Sequence, residues 1–204
     1  MRLISSLHRH AGRALRRFQR RSDGSLSVET AIIMPLLCMV YVGSFVWFDA
    51  FRIQNINLKA TYTIADMISR ESDGIDQDYV DAMETIYDYL TYGDHATQMR
   101  LSIIECTDEC GNEAARVLEV CWSKASTGRD LLTTDELVER SNVVPLFPKG
   151  DELIVAETFM AYNPAFNVGL DGQILENTIF TAPRMPGQMK FLNDSGDDEH
   201  CYNN

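Results

Sequence analysis

RSDGSLSVETAIIMPLLCMVYVGSFVWF, residues 21–48, decides how this chain is built. It opens on the last arginine of a basic cluster, passes Gly24 and a single glutamate, Glu29, and then runs apolar to Asp49, the next charge. Ala31–Phe48 is 18 residues without a charge, long enough for a transmembrane helix. Pro35 sits early in the span and should kink or loosen it, which membrane helices tolerate when neighbours satisfy the freed carbonyl. Glu29 stands at the mouth of the span, five residues after Gly24. An ionisable group there is expensive to bury and calls for a functional explanation.

Upstream of this stretch the charge is all of one sign. Residues 1–22 carry seven arginines and no acid, which leaves 11 of the 18 Lys and Arg against all 30 Asp and Glu, a net −19 for the remainder. Short basic flanks stay on the cytoplasmic side, so the amino terminus is expected inside and the acidic bulk outside, in the periplasm of a bacterial cell. No folded basic module for nucleic acid is visible. A cleaved secretory signal fits less well than an uncleaved anchor. Its apolar region would be about 7–15 residues and end in a small-x-small site, whereas this run is longer and passes into Asp49-Ala50-Phe51-Arg52.

Cysteine usage agrees with export. Cys38 lies within the span, and Cys106, Cys110, Cys121 and Cys201 lie beyond it. Four cysteines in an oxidising compartment suggest two disulfides, with three connectivities open. Cys106 and Cys110 have three residues between them and no matching pair at zinc-finger spacing follows, so no metal is expected there.

Past Phe48 the apolar pattern continues at helical steps through Ile53, Ile56, Ala60, Ile64, Met67 and Ile68, which predicts one helix from about Ser27 to about Arg70 and a break at Ser72-Asp73-Gly74. Tyr79, Val80, Met83, Ile86, Tyr87 and Leu90 predict a second helix over Asp76–Tyr92, stopped by Gly93. Gln98–Cys106 and Ala115–Ser123 read as a hairpin, and Leu153–Tyr162 as the strongest strand. Thr133–Arg140 is a short helix with a good N-cap, Val143–Phe147 an edge or extended segment, and Thr178–Ala182 a short strand. The tail 193–204 is acidic and expected to be loosely held unless Cys201 ties it down. The expected class is α+β: a long pilin-like amino-terminal helix with a head built on a small antiparallel sheet.

Gly24-Ser25-Leu26-Ser27-Val28-Glu29, set between basic residues and an apolar run, resembles a type IV prepilin processing site. More specifically, SLSVETAIIMPLL is similar to the opening of TadE-like pseudopilins of the bacterial tight-adherence (Flp pilus) machinery. Weaker resemblances lie in Val120-Cys121-Trp122-Ser123, in Ala161-Tyr162-Asn163-Pro164 and in Ala182-Pro183-Arg184. The specific part covers about 25 residues; Asp23, where family members often keep basic or neutral residues, departs from the pattern and should weaken the cut.

The resemblance implies a leader over residues 1–24, cleavage after Gly24 by a membrane prepilin peptidase, and Ser25 as the new amino terminus. It further implies a transmembrane segment over 25–49 that packs on other pilin-like subunits through residues such as Ala31, Pro35 and Gly43. A helical extension over 50–71, a periplasmic head over 72–192 and the tail complete the partition. Cleavage would leave an α-ammonium and the Glu29 carboxylate about one helical turn apart. Pairing between Glu29 of one subunit and Ser25 of the next would then favour one stacking register. At 204 residues the chain suits a minor subunit rather than the short major pilin.

No enzyme is expected. His8 and His10 lie in the leader, His95 in a turn, and His200 beside Cys201, and none of the common hydrolase or phosphate-loop motifs is present. Asp194, Asp197, Asp198 and Glu199 lack the spacing of a calcium loop. No cofactor, metal or small-molecule substrate is expected; the expected partners are the inner membrane, the prepilin peptidase and other pilin-like subunits. The alternative, from another class, is a signal-anchored periplasmic binding or sensing domain that is never processed. A membrane-tethered hydrolase ranks third.

Overall fold

The computed structural model describes residues 23–126, 128–185, 189–193 and 198–201; the basic amino-terminal stretch, with His8 and His10, and part of the acidic tail, with Asp194 and Asp197, lie outside the described residues. Helix α1 spans Asp23–Ser69, 47 residues or about 70 Å at 1.5 Å per residue. It continues through Pro35. The chain forms two compact units, one ending at Trp47 and one beginning at Phe48, and α1 has residues in both.

The second unit is α+β. Helix α2 is Gln77–Leu90, β1 is Thr97–Asp108 and β2 is Val117–Ala125. Helix α3 is Thr134–Glu139, a 3-10 turn follows at Ser141–Val143, and β3 (Glu152–Tyr162) and β4 (Gln173–Thr181) complete the sheet. Its order is β2-β1-β3-β4, with every pairing antiparallel. The caps explain the helix boundaries. Asp76 Oδ1 accepts the Tyr79 amide at 2.8 Å to start α2, and Thr133 Oγ1 accepts the Glu136 amide at 3.3 Å to start α3. After Leu90 the chain turns through left-handed Tyr92 and Gly93, whose amide returns to the Asp88 carbonyl at 2.9 Å.

Each face of the sheet has its own apolar cluster, because strand side chains alternate. Met99, Leu101, Ile103 and Ile154 pack with Ala60, Ile64 and Ile68 of α1 and with Val80, Met83 and Tyr87 of α2. Ile104, Cys106, Leu153 and Val155 face the other way and pack with Leu132, Leu137 and Val144 of the β2–β3 connection. Under the helices lies one polar seam. Tyr87 donates to Asn57, Asn57 Nδ2 donates to the Leu175 carbonyl of β4 at 3.3 Å, and the Thr61 and Thr158 hydroxyls meet at 2.6 Å.

Three expectations need correction. Residues 143–147 do not join the sheet; the chain makes a 3-10 turn and an irregular run there, and its arginine-bound carbonyls leave no free ladder. The last strand is Gln173–Thr181 rather than a short piece at 178–182. Met67, placed on the apolar stripe of α1, is exposed. The condition set for the tail is met, since Cys201 is bonded to Cys121; just before it, Phe191 bridges Ile75 and Glu199, Trp122 Nε1 donates to the Met189 carbonyl at 2.8 Å, and Leu192 lies on Gly74. A Cβ at Gly74 would come 2.4 Å from the Leu192 Cγ, so a larger residue there would make the Leu192 side chain shift.

Candidate functional site

Two regions stand out chemically. The first is the amino-terminal part of α1. Every side chain from Leu26 to Tyr41 is exposed, including Leu26, Ile32, Met34, Leu36, Leu37, Met39 and Val40. Among the described residues, α1 is the one helix long and apolar enough to cross a membrane. Two of its hydroxyls bond back onto the helix itself: Thr30 donates to the Leu26 carbonyl and Ser44 to the Val40 carbonyl, both at 2.8 Å. These two hydroxyls are thereby satisfied without an outside partner. Glu29 and Ala31 are exposed, as is the free Cys38. Gly24 and Ser25 lie in the backbone of the first turn of α1, with Glu29 one turn on. A Cβ added at Gly43 would meet nothing within 4 Å. Its small size therefore answers no contact of its own chain, although glycine in a helix costs about 1 kcal/mol against alanine.

The second region is a charged network on the α3 face of the sheet, which sequence reasoning missed. Arg100 of β1 stands opposite Glu157 of β3, and Glu157 opposite Thr178 of β4. Arg100 donates to both oxygens of Glu157, at 2.5 and 3.0 Å, and to both of Glu136, at 2.9 and 3.2 Å. Its remaining bond goes to the Asp130 carbonyl at 3.3 Å, so all five guanidinium N–H groups are used. Arg140 joins from the end of α3, 3.0 Å from Glu157 and 3.4 Å from Glu176. Glu157 is 1 % exposed, and such a charge persists only when paired and fully bonded. The neighbouring cavity between Leu137, Val144, Val155, Arg140 and Thr178 measures ≈ 10 Å³, room for about one water molecule. The network reads as a structural clamp that ties α3 to the sheet. Its signal in the sequence was a charge set within each of two apolar strands, Arg100 in QMRLSIIEC and Glu157 in LIVAETFMAY.

The four cysteines beyond Cys38 form two disulfides, Cys106–Cys110 and Cys121–Cys201. The first closes a local turn, and the second joins β2 to the carboxyl-terminal segment across 80 residues. Of the weaker sequence resemblances, Cys121 and Trp122 sit in β2, and Ala161 and Tyr162 end β3. Arg184 ties to the end of α1, with its amide on the Ser69 carbonyl at 2.8 Å and its guanidinium on Asp66 at 2.6 Å. His95 lies beside the Tyr162 ring, with centroids 6.0 Å apart.

These carboxylates set a pH dependence of mixed sign. Glu105 and Glu152 face each other across β1 and β3. Burial, and then Glu119, pushes the Glu105 carboxyl up. Burial also raises Glu152, with Glu105 adding to it against the amide bond from Met189. Both bind a proton more readily folded than unfolded, so stability should rise as pH falls from neutral toward about 4.3. For Glu136, burial alone would raise the carboxyl, but bonds from Arg100 and Arg140 hold it below its usual value. Its contribution is present above the unfolded pKa and is lost as pH falls through the lowered one. Urea midpoints measured across pH should therefore peak in mild acid, and Glu105→Gln with Glu152→Gln should flatten the rise. A maximum that stays at neutral pH in the unmodified protein would contradict this assignment.

Comparison of the chain with protein-family models, with curated proteins and with solved structures gave no match.

Proposed function

We propose that this chain is a single-pass, pilin-like assembly subunit of the tight-adherence type, a minor pseudopilin that a prepilin peptidase processes after Gly24. It is anchored by α1 in the inner membrane, with the amino terminus cytoplasmic and the head periplasmic, and it works by packing rather than by catalysis. One observation carries this reading. The first unit presents an exposed apolar surface over residues 31–41, preceded at its mouth by Glu29, Gly24 and the arginine cluster. That surface needs lipid, and the charge at its mouth needs a partner. A free α-ammonium at Ser25 of a neighbouring subunit would supply one. Gly43 is suited to close helix approach, as small residues are in membrane helix pairs. The scissile bond lies in the terminal turn of α1, the part of a helix that opens most readily.

The test is the amino terminus of the protein recovered from its native membrane, by intact mass and terminal peptide, with and without the peptidase. A peptidase-dependent start at Ser25 is expected. A start at Met1 in both cases would overturn the reading and leave a signal-anchored domain. Glu29→Ala is expected to leave the urea midpoint of the head unchanged while removing the subunit from assembled fibres. Undiminished incorporation of that variant would sink the pairing role of Glu29.

A further inference from the structure

The Cys121–Cys201 disulfide has a carboxyl group beside it that no other part of the fold uses. A Glu105 oxygen and the two sulfurs all lie within 4.8 Å of one another. Glu105 is 9 % exposed and has no hydrogen bond or ion pair among the described residues. Its oxygens are not among the buried polar atoms that lack a partner, so the carboxylate is open to water, which can carry protons to and from the sulfurs. The sheet itself arranges the meeting. Ile103 pairs with Trp122 and Ile104 with Val120, which leaves Cys121 as the extra residue of a β-bulge. A bulge re-aims side chains; here it puts both Cys121 and Trp122 against the helix-covered cluster that Ile103 joins. Both cysteines are half-buried.

We propose that Glu105 is the proton-transfer residue of a redox-active Cys121–Cys201 pair, taking the thiol protons as the bond closes and returning them as it opens. Closure uses an external disulfide. The Glu105 carboxylate, through one bridging water, removes the proton of the first thiol. The resulting thiolate attacks the external disulfide, forming a mixed disulfide and expelling one external thiolate. Glu105 passes its proton on to that leaving thiolate and then takes the proton of the second thiol. The second thiolate attacks the mixed disulfide, and the other external thiolate leaves and is protonated in turn. The chain loses two electrons and two protons, and the external compound gains both. Opening by an external dithiol is the reverse.

The charged neighbours suit this role. Glu119 faces Glu105 from β2, Glu152 faces it from β3, and His200 lies near Glu152 on the carboxyl-terminal segment. Burial and Glu119 raise the Glu105 carboxyl, which brings it closer to the thiols whose protons it must exchange. Opening the bond would leave the segment that covers Trp122 and Ile75 held only by its hydrogen bonds, by Phe191 and by the Lys124–Glu199 pair. The chemistry is independent of the pilus reading.

The test follows closure of both disulfides in the full chain in detergent micelles. The protein is opened with dithiothreitol and returned to glutathione disulfide at pH 5.5 to 9, and the alkylated cysteine peptides are counted by mass. Glu105→Gln should slow closure of Cys121–Cys201 by about tenfold at the acid end and converge with the unmodified protein near pH 9, where thiols of pKa about 8.5 ionise unaided. Cys106–Cys110, whose first cysteine faces the opposite cluster, should close at an unchanged rate in the same molecules. Superimposable pH profiles, or equal slowing of both disulfides, would overturn the proposal. Near-ultraviolet dichroism of Trp122 checks folding. Should the glutamine variant fail that check, Glu119→Gln decides: removing the facing carboxylate should move the closure profile to lower pH, and an unmoved profile would overturn the proposal.

Discussion

Arg100→Ala should destabilise the head by about 3–5 kcal/mol, the usual result of removing one partner from a buried ion pair. The reason is what remains behind. Glu157 would keep only Arg140, a residue itself about a third exposed, and Glu136 would lose both of its shorter contacts with Arg100. The charge on Glu157 is 1 % exposed and cannot be rehydrated without opening β1 from β3. A domain of this size has about 5–15 kcal/mol in total, so the variant should sit near the edge of folding at 37 °C. Urea unfolding of the purified protein gives the number. Exchanging both partners, Arg100→Met with Glu157→Met, should recover most of the loss, because an apolar pair of similar volume costs little to bury. A double exchange as unstable as Arg100→Ala alone would mean that the network does more than satisfy its own charges.

Loss of the Cys121–Cys201 bond should cost a similar amount. The bond closes a loop of 80 residues, and loop-closure entropy assigns such a crosslink about 4.5 kcal/mol, against about 2 kcal/mol for the four-residue Cys106–Cys110 loop. Cys201→Ser should therefore lower the midpoint more than Cys110→Ser. It should also free the carboxyl-terminal segment, since the Trp122 bond to Met189 and the crossing at Gly74 depend on the same segment staying down. Limited proteolysis checks the second effect: cleavage after Lys190 is expected in Cys201→Ser and not in Cys110→Ser. Equal midpoints for the two variants would contradict the assignment of the long bond as the main staple.

Long-period features of this fold were readable without coordinates, and cross-strand features were not. The apolar residues of α1 recur at helical steps from Ile53 to Ile68, and no proline or glycine interrupts them, so one helix was the only economical reading. Asp76 and Thr133 announced their helices because capping is local chemistry. Leu153–Tyr162 announced its strand by its β-branched and aromatic content. By contrast, the Arg100–Glu157 clamp depends on a register between strands some fifty residues apart, and no local pattern sets that register. The bulge at Cys121 has the same origin, and with it the choice among three disulfide connectivities. The last strand was read too short because Glu176 and Asn177 break its apolar run; they are tolerated because β4 lies at the edge of the sheet and is only partly covered. Gly24, Ser25, Glu29 and Gly43 were found by their place in the sequence, and only their position on α1 is visible in the fold.

Both rims of the sheet are also partly spoken for by side chains of the same chain. On the β2 side the Val120 amide is taken by Thr134 Oγ1 at 3.3 Å, and the bulge interrupts the strand. On the β4 side Asn57 occupies the Leu175 carbonyl. A sheet with open rims recruits foreign strands and grows into cross-β aggregates. Here that route is blunted at both ends, while a long apolar helix is left uncovered. The strand edges are thereby less open to the fibrils that an unguarded sheet would seed.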